Sequence, residues 1–290
     1  MNLLPNDDYD TRLERFKQIV QHYNINYDFA FRLRSIENFE IVLILDDSTS
    51  MRTPVIDQKH NKHSPFDRLP TRWDELQQMT SIIVDLAATL VPDGIDIYFL
   101  NRQPLLHVRD SSQLIETFSH LPSGPTPISR LLSYVLDLKR PFINDRKLLI
   151  LIATDGVPTD DKGQDDLVGL EKVLRECRYP SIERMFVTFI ACTDDLKSVA
   201  YLNQFDKKIP FIDVLDDYYS ERAEVLAVQG KNFPFSYGDY VVKVLVGSVD
   251  QWFDNLDEKK VKLKSSASLP TSPNALGRVS SGQNRSCIIS

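Results

Sequence analysis

Three short apolar segments constrain the fold of this chain more than any other feature. They are residues 41–45 (IVLIL), 147–153 (KLLILIA) and 185–191 (MFVTFIA), and none of them alternates apolar with polar residues. A strand with one solvated face alternates, whereas a strand covered on both faces of a parallel sheet does not. Because helical patterns separate these segments, we predict an α/β fold with a doubly wound, mostly parallel sheet flanked by helices.

Periodic apolar residues place the helices and one edge strand. Residues 71–90 form the clearest predicted helix, with Thr71 as N-cap, and residues 105–108 are expected to form a short edge strand or a hairpin partner. Residues 239–253 are expected to close the domain as an amphipathic helix. A helix over residues 128–138 is expected to bury Leu131, Leu132, Val135 and Leu138.

Short oxygen-bearing side chains follow two of the buried segments. Residues 46–50 (DDSTS) follow the first segment, and residues 154–156 (TDG) follow the second. Ligands of open α/β sheets bind beyond the carboxyl ends of the strands, so we expect a site there. Asp46, Ser48 and Ser50 could turn their oxygens inward, and oxygen ligands select Mg²⁺, with Mn²⁺ and Ca²⁺ as alternatives. Taken alone, residues 46–50 are equally well explained as a solvated turn that caps the next helix.

A Gly-Pro-Thr loop at residues 124–126 supplies a further hydroxyl just before a predicted helix. In order and spacing these elements resemble the metal-ion-dependent adhesion site of the von Willebrand factor A (vWA) domain, over about residues 38–250. The five matching positions are Asp46, Ser48, Ser50, Thr126 and Asp155.

The resemblance implies a role for each position. Ser48 and Ser50 would ligate Mg²⁺ directly, and Thr126 would ligate it directly or through water. Asp46 and Asp155 would hold metal-bound water and orient the serines. Such mostly neutral ligands leave much of the Mg²⁺ charge unquenched and keep coordination positions open. The expected function is therefore metal-bridged binding of an Asp or Glu of a protein partner, with no bond broken.

Neighbouring acidic residues receive lesser roles. Asp47 is expected to face solvent, with a supporting role as the alternative. An acidic loop is expected near the site, and a secondary Ca²⁺ contact there is a weak alternative. Its carboxylates are those of Asp160, Asp161, Asp165 and Asp166.

Two other classes of function remain open. The haloacid-dehalogenase phosphatases need Asp where this chain has Ser48, and no Gly-rich phosphate loop, Gly-x-Ser-x-Gly motif or Cys/His pair is found. A Mg²⁺-dependent hydrolase or phosphatase at the same strand ends is thus the weaker alternative to a non-enzymatic module. A scaffold that uses the fold without metal is the third.

The C-terminal segment differs in composition from the rest. The formal charge is −7, of which residues 259–290 contribute +6, which leaves −13 on residues 1–258. An acidic body argues against nucleic acid as a partner, and a basic tail suits an anionic surface. The last four residues, CIIS, match a prenylation signal, so we expect a farnesyl thioether on Cys287, with an unmodified cysteine as the alternative.

These observations predict three regions and a location. Residues 1–37 would form an N-terminal helical extension, residues 38–258 the vWA domain, and residues 259–290 a disordered basic, Ser-rich tail. The protein is expected in the cytoplasm, held at the cytoplasmic leaflet of a membrane by the farnesyl group and the basic tail. One prenyl chain anchors weakly, and basic residues add about 1 kcal/mol each close to anionic lipid.

Overall fold

Six strands form the central sheet: β1 (Phe39–Leu45), β2 (Ile95–Phe99), β3 (Leu105–Val108), β4 (Lys147–Thr154), β5 (Met185–Ala191) and β6 (Ile212–Leu215). Their order across the sheet is β3-β2-β1-β4-β5-β6. Strand β3 is antiparallel to β2, and the other four pairings are parallel. The computed structural model describes residues 9–55, 69–193, 195–253 and 255–263. The predicted α/β fold and the edge strand at residues 105–108 are confirmed.

Helices cover both faces of this sheet. In chain order they are α1 (Tyr9–His22), α2 (Tyr27–Arg32), α3 (Arg72–Leu90), α4 (Ile115–Ser119), α5 (Ile128–Lys139), α6 (Leu167–Lys172), α7 (Leu196–Val199), α8 (Leu202–Lys208), α9 (Tyr218–Gln229), α10 (Tyr237–Val246) and α11 (Asn255–Glu258). None of the helices within the described residues is long and apolar enough to cross a membrane.

Two apolar clusters, one on each face, explain the uninterrupted apolar segments. In β1, Ile41, Leu43 and Leu45 belong to the cluster that also contains residues of α3 and α10. Val42 and Ile44 point the other way, into the cluster that contains residues of α5 and α8. Because successive side chains of a strand alternate between faces, a strand covered on both sides is expected to be apolar on both faces.

Helix α3 begins at a capping box. The Thr71 hydroxyl accepts from the backbone N–H of Asp74, and the Asp74 side chain accepts from the backbone N–H of Thr71. The backbone N–H of Arg72 also donates to the carbonyl of Thr53 at 3.0 Å. The start of α3 is thereby fixed beside the segment that follows β1.

The face that α5 buries differs from the predicted one. Leu132 is buried as expected, whereas Leu138 is 43% exposed. The buried face instead includes Lys139, whose ammonium donates to Glu40 and Asp96 at 2.6 Å each. Because this ion-paired lysine faces the sheet, the residue before it points away. The prediction for Leu138 was therefore wrong.

The predicted helix over residues 239–253 was wrong in its length and character. Helix α10 ends at Val246, and every residue from 238 to 246 is buried. Its charged residues are paired inside the protein, since Asp239 accepts from the backbone N–H of Asn26 at 2.6 Å and Lys243 donates to Glu221. Their polarity suggested a solvated face, but internal partners permit burial.

The segments before β1 and after α11 both contact the rest of the domain. Phe29 of α2 makes edge-to-face contacts with Phe235 and Phe253, at centroid distances of 6.0 and 5.3 Å. Near the other end, the Gln229 side chain donates to the carbonyl of Lys259 at 2.7 Å and accepts from the backbone N–H of Val261 at 2.9 Å. The segment that leads to residue 263 is therefore held against α9.

Candidate metal centre

The parallel pairing of β1 with β4 brings two of the predicted site segments together. Leu45 pairs with Ala153 in the ladder, and the backbone N–H of Asp46 donates to the Ala153 carbonyl at 2.9 Å. The Thr154 hydroxyl donates to Asp46 Oδ2 at 2.8 Å. The residues that follow the two strands thus share one edge of the sheet.

A continuous chain of hydrogen bonds links four of the five predicted residues. Asp46 Oδ1 accepts from the backbone N–H of Ser48 at 2.8 Å. Ser48 Oγ and Ser50 Oγ lie 3.0 Å apart, and Ser50 Oγ donates to Asp155 Oδ1 at 2.6 Å. We refer to these four side chains, of Asp46, Ser48, Ser50 and Asp155, as the oxygen cluster.

Thr126 reaches the same edge through its loop. The backbone N–H of Thr49 donates to the Gly124 carbonyl at 3.2 Å, and the Thr126 N–H donates to the Thr159 hydroxyl at 3.0 Å. Thr126 itself is buried. Among the described residues, no hydrogen bond joins its hydroxyl to the oxygen cluster. The backbone of Thr126 is thus fixed at this edge, while its side chain lies outside the hydrogen-bonded chain.

Burial strongly disfavours the charged form of the Asp46 carboxyl group. It is fully buried, and this burial, with a smaller contribution from the charge of Asp155, raises the pKa of Asp46 from 3.8 to about 6. Hydrogen bonds from Ser48 and Thr154 lower this pKa in part. Within the described ranges no cationic side chain forms an ion pair with Asp46. A buried carboxylate with neutral partners is stabilised in its charged form by a nearby cation.

An arginine that was not predicted from the sequence completes this edge. Arg72 Nη1 forms a 2.8 Å ion pair with Asp155 Oδ2, and Arg72 Nη2 donates to the Thr193 hydroxyl at 2.6 Å. Arg72 stands in the first turn of α3, in a stretch whose apolar spacing indicated only the buried face. No sequence pattern links it to Asp155, because the two residues meet only in the folded sheet.

Asp47 is buried, so the prediction that it faces solvent was wrong. Its Oδ1 accepts from the backbone N–H of Asn101 at 2.8 Å, and its Oδ2 accepts from Arg102 Nε at 2.8 Å. The Asp47 carbonyl also accepts from the backbone N–H of Ser123 at 2.7 Å. Asp47 therefore joins the loop after β1 to the loops after β2 and before α5, which corresponds to the supporting role named as the alternative.

Two carboxylates of the predicted acidic loop accept hydrogen bonds locally, and that of Asp161 pairs with Arg130 Nη1 of α5 at 2.6 Å. Asp160 Oδ1 accepts from the backbone N–H groups of Lys162 and Gln164, and Asp166 caps α6 by accepting from the Gly169 N–H at 3.1 Å. These side chains stabilise turns. The loop approaches the site through Thr159, whose contact with Thr126 is described above.

A second acidic group lies elsewhere, at the junction of α9 and α11. Glu221, Glu224 and Asp257 form the one group of three His, Cys, Asp or Glu side chains among the described residues whose ligand atoms lie within 4.8 Å of one another. The Lys243 ammonium donates to Glu221 and, at 3.1 Å, to Asp257. Because the Lys243 cation already pairs with Glu221 and Asp257, we interpret the group as an ion-pair network.

The oxygen cluster fits a hard divalent cation by the chemistry of its donors. It offers two hydroxyls and two carboxylates and no nitrogen or sulfur, which is the donor set that Mg²⁺ and Mn²⁺ prefer. The buried charge of Asp46 would attract such an ion to this site.

Cys287 lies outside the described residues. A scan of the sequence against protein-family models found no matching family, and a search of curated proteins found no match.

Proposed function

We propose that this chain is a vWA-type interaction module that binds an Asp or Glu of a protein partner through Mg²⁺, with Mn²⁺ or Ca²⁺ as alternatives. The observation that carries the proposal is the oxygen cluster, in which Ser48 Oγ and Ser50 Oγ lie 3.0 Å apart and Ser50 also reaches Asp155 at 2.6 Å. Its position beyond the carboxyl ends of β1 and β4 is where α/β sheets bind ligands.

The residues divide between binding and support. Ser48 and Ser50 would ligate the cation through their hydroxyls, and Asp46 and Asp155 would orient them and hold water. Thr126 would add a hydroxyl from its fixed loop. When bound, the cation would supply a positive point of attachment for a carboxylate. Asp47, through Asn101 and Arg102, holds the backbone of this edge in place.

We assign no bond-breaking step to the site. Water and one carboxylate from outside would complete the coordination of a divalent ion held by the cluster. Association with a partner is therefore sufficient as the function.

We further propose that the protein is held at the cytoplasmic leaflet by a farnesyl group on Cys287. The signal is CIIS at residues 287–290, preceded by a segment with six basic and no acidic residues from Lys259 onward. Since a single prenyl chain binds membranes reversibly, this basic segment would add attraction to anionic lipid.

Calorimetric titration of the full chain with Mg²⁺ and Mn²⁺ tests the metal site. We expect saturable binding to the unchanged protein and its loss in Ser48→Ala. Ser81→Ala is the matched control, because the Ser81 hydroxyl donates to the Gln77 carbonyl within α3 and lies outside the oxygen cluster. Equal binding by the Ser48 and Ser81 variants would contradict the proposal.

A further inference from the structure

Side chains that follow two different strands hold Arg72 at the oxygen cluster. Its Nη1 contacts Asp155 Oδ2 at 2.8 Å, just after β4, and its Nη2 contacts the Thr193 hydroxyl at 2.6 Å, just after β5. Its backbone N–H is bound to the Thr53 carbonyl at 3.0 Å. The side chain is 16% exposed, and that of Asp155 is fully buried. The guanidinium therefore has a fixed position.

The carboxylate of Asp155 lies between Arg72 and the proposed metal ligands. Asp155 Oδ1 accepts from the Ser50 hydroxyl at 2.6 Å, while its other oxygen faces Arg72. In their charged forms, the carboxylates of Asp46 and Asp155 and the guanidinium of Arg72 sum to a charge of −1, whereas the two carboxylates alone sum to −2.

We propose that Arg72 weakens metal binding by the isolated protein and makes the loaded site positive, so that metal and a partner's carboxylate are held together. A divalent ion beside these three groups brings their summed charge to +1, which attracts an anion; without Arg72 that sum would be zero. This inference rests on the proposed function. Arg72 is here a specificity-determining residue, because it sets which charge the partner must bring.

The size of the effect follows from Coulomb's law. A guanidinium that is separated from the serine hydroxyls by one carboxylate repels a divalent ion bound to those hydroxyls. At an effective dielectric between those of a protein surface and water, this repulsion lowers the affinity of the protein for the ion by on the order of tenfold. Structural damage would weaken metal binding. A gain in affinity after the loss of Arg72 would therefore identify the electrostatic role.

The test is calorimetric titration of the full chain with Mn²⁺ as the probe. We expect Arg72→Gln and Arg72→Met to bind Mn²⁺ about tenfold more tightly than the unchanged protein, and Arg72→Lys to bind it about equally. Two neutral variants are used so that the failure of one to fold, judged by circular dichroism, leaves the other to decide.

Arg146→Gln is the matched control for net charge. Arg146 directly precedes β4, whereas Asp155 directly follows it, so the length of this strand, roughly 25 Å, separates them. That separation exceeds the screening length of about 8 Å at physiological ionic strength. We expect Mn²⁺ affinity to be unchanged in this variant, and an equal gain from Arg146→Gln and Arg72→Gln would overturn the inference.

A second Mn²⁺ titration replaces sodium chloride by sodium acetate at equal ionic strength. Acetate supplies a carboxylate in place of the partner's Asp or Glu. We expect acetate to tighten Mn²⁺ binding more in the unchanged protein than in Arg72→Gln. Mn²⁺ binding by the unchanged protein with no gain in either neutral variant would overturn the role of Arg72 and leave the proposed function standing. No Mn²⁺ binding by any of these proteins, with or without acetate, would overturn both.

Discussion

The replacement of Asp46 by Asn is expected to stabilise the metal-free protein while it removes metal binding. Asp46 is buried at the end of β1 with only neutral hydrogen-bond partners among the described residues. Asn keeps an oxygen for the Ser48 N–H, and the Thr154 hydroxyl can reverse to accept from its amide. The replacement therefore removes a buried charge at little cost in hydrogen bonds.

The magnitude follows from the pKa of Asp46. Burial raises this pKa from 3.8 to about 6, so the folded protein binds the proton more tightly than the unfolded chain. Stability consequently falls as the pH rises from about 4 to about 6, and the loss is complete above that range. The difference in pKa corresponds to about 3 kcal/mol of unfolding free energy at pH 7 and about 1 kcal/mol at pH 4.5.

Urea unfolding in EDTA at the two pH values measures this effect. We expect Asp46→Asn to exceed the unchanged protein in unfolding free energy by the larger amount at pH 7. Asp110→Asn is the control of opposite sign, because hydrogen bonds from Ser112 lower the pKa of Asp110, and its charge contributes stability that is lost as the pH falls. If Asp46→Asn were no more stable at pH 7, or its effect did not change with pH, the reasoning would be refuted.

Three further predictions concern other parts of the chain. Arg178 is fully buried and donates to backbone carbonyls at the start of β5 and before β6. Arg178→Met should therefore lower the unfolding free energy, measured by urea unfolding, by about 3 kcal/mol. An unchanged urea midpoint would contradict this prediction. Asp239 accepts hydrogen bonds from two backbone N–H groups, so Asp239→Ala should lower the unfolding free energy, measured by thermal unfolding, by about 2–4 kcal/mol. Asp161→Ala, at an exposed position, is the control, and a smaller loss of stability in Asp239→Ala than in this control would count against the prediction. Incubation with farnesyltransferase and farnesyl diphosphate should add one farnesyl mass to the chain and none to Cys287→Ser, and modification of both would refute the assignment.

The sequence predicted the sheet well because burial on two faces leaves a direct pattern. The apolar segments at residues 41–45, 147–153 and 185–191 became adjacent parallel strands, β1, β4 and β5. Since parallel strands end at one edge, the polar residues after β1 and β4 were expected to meet, and Asp46 and Asp155 lie in one oxygen cluster. Pattern and topology together were sufficient for this part.

Charged residues with distant partners could not be placed from the sequence. Asp47 is buried because Arg102, from the loop after β2, pairs with it at 2.8 Å. Lys139 lies on the buried face of α5 while Leu138 faces outward, and Arg72 enters the site from α3. In each case a charge suggests solvent by itself, and only a partner that is far away in the chain makes burial favourable.

The central claim is that the oxygen cluster binds a divalent cation, and a crystal grown with Mn²⁺ tests it most directly. Anomalous scattering locates the ion independently of any assumption about its ligands. The proposal predicts an anomalous peak in contact with Ser48 Oγ and Ser50 Oγ, and no such peak in Ser48→Ala crystals. Mn²⁺ peaks elsewhere, with these hydroxyls still hydrogen-bonded to each other and to Asp155, would contradict the claim.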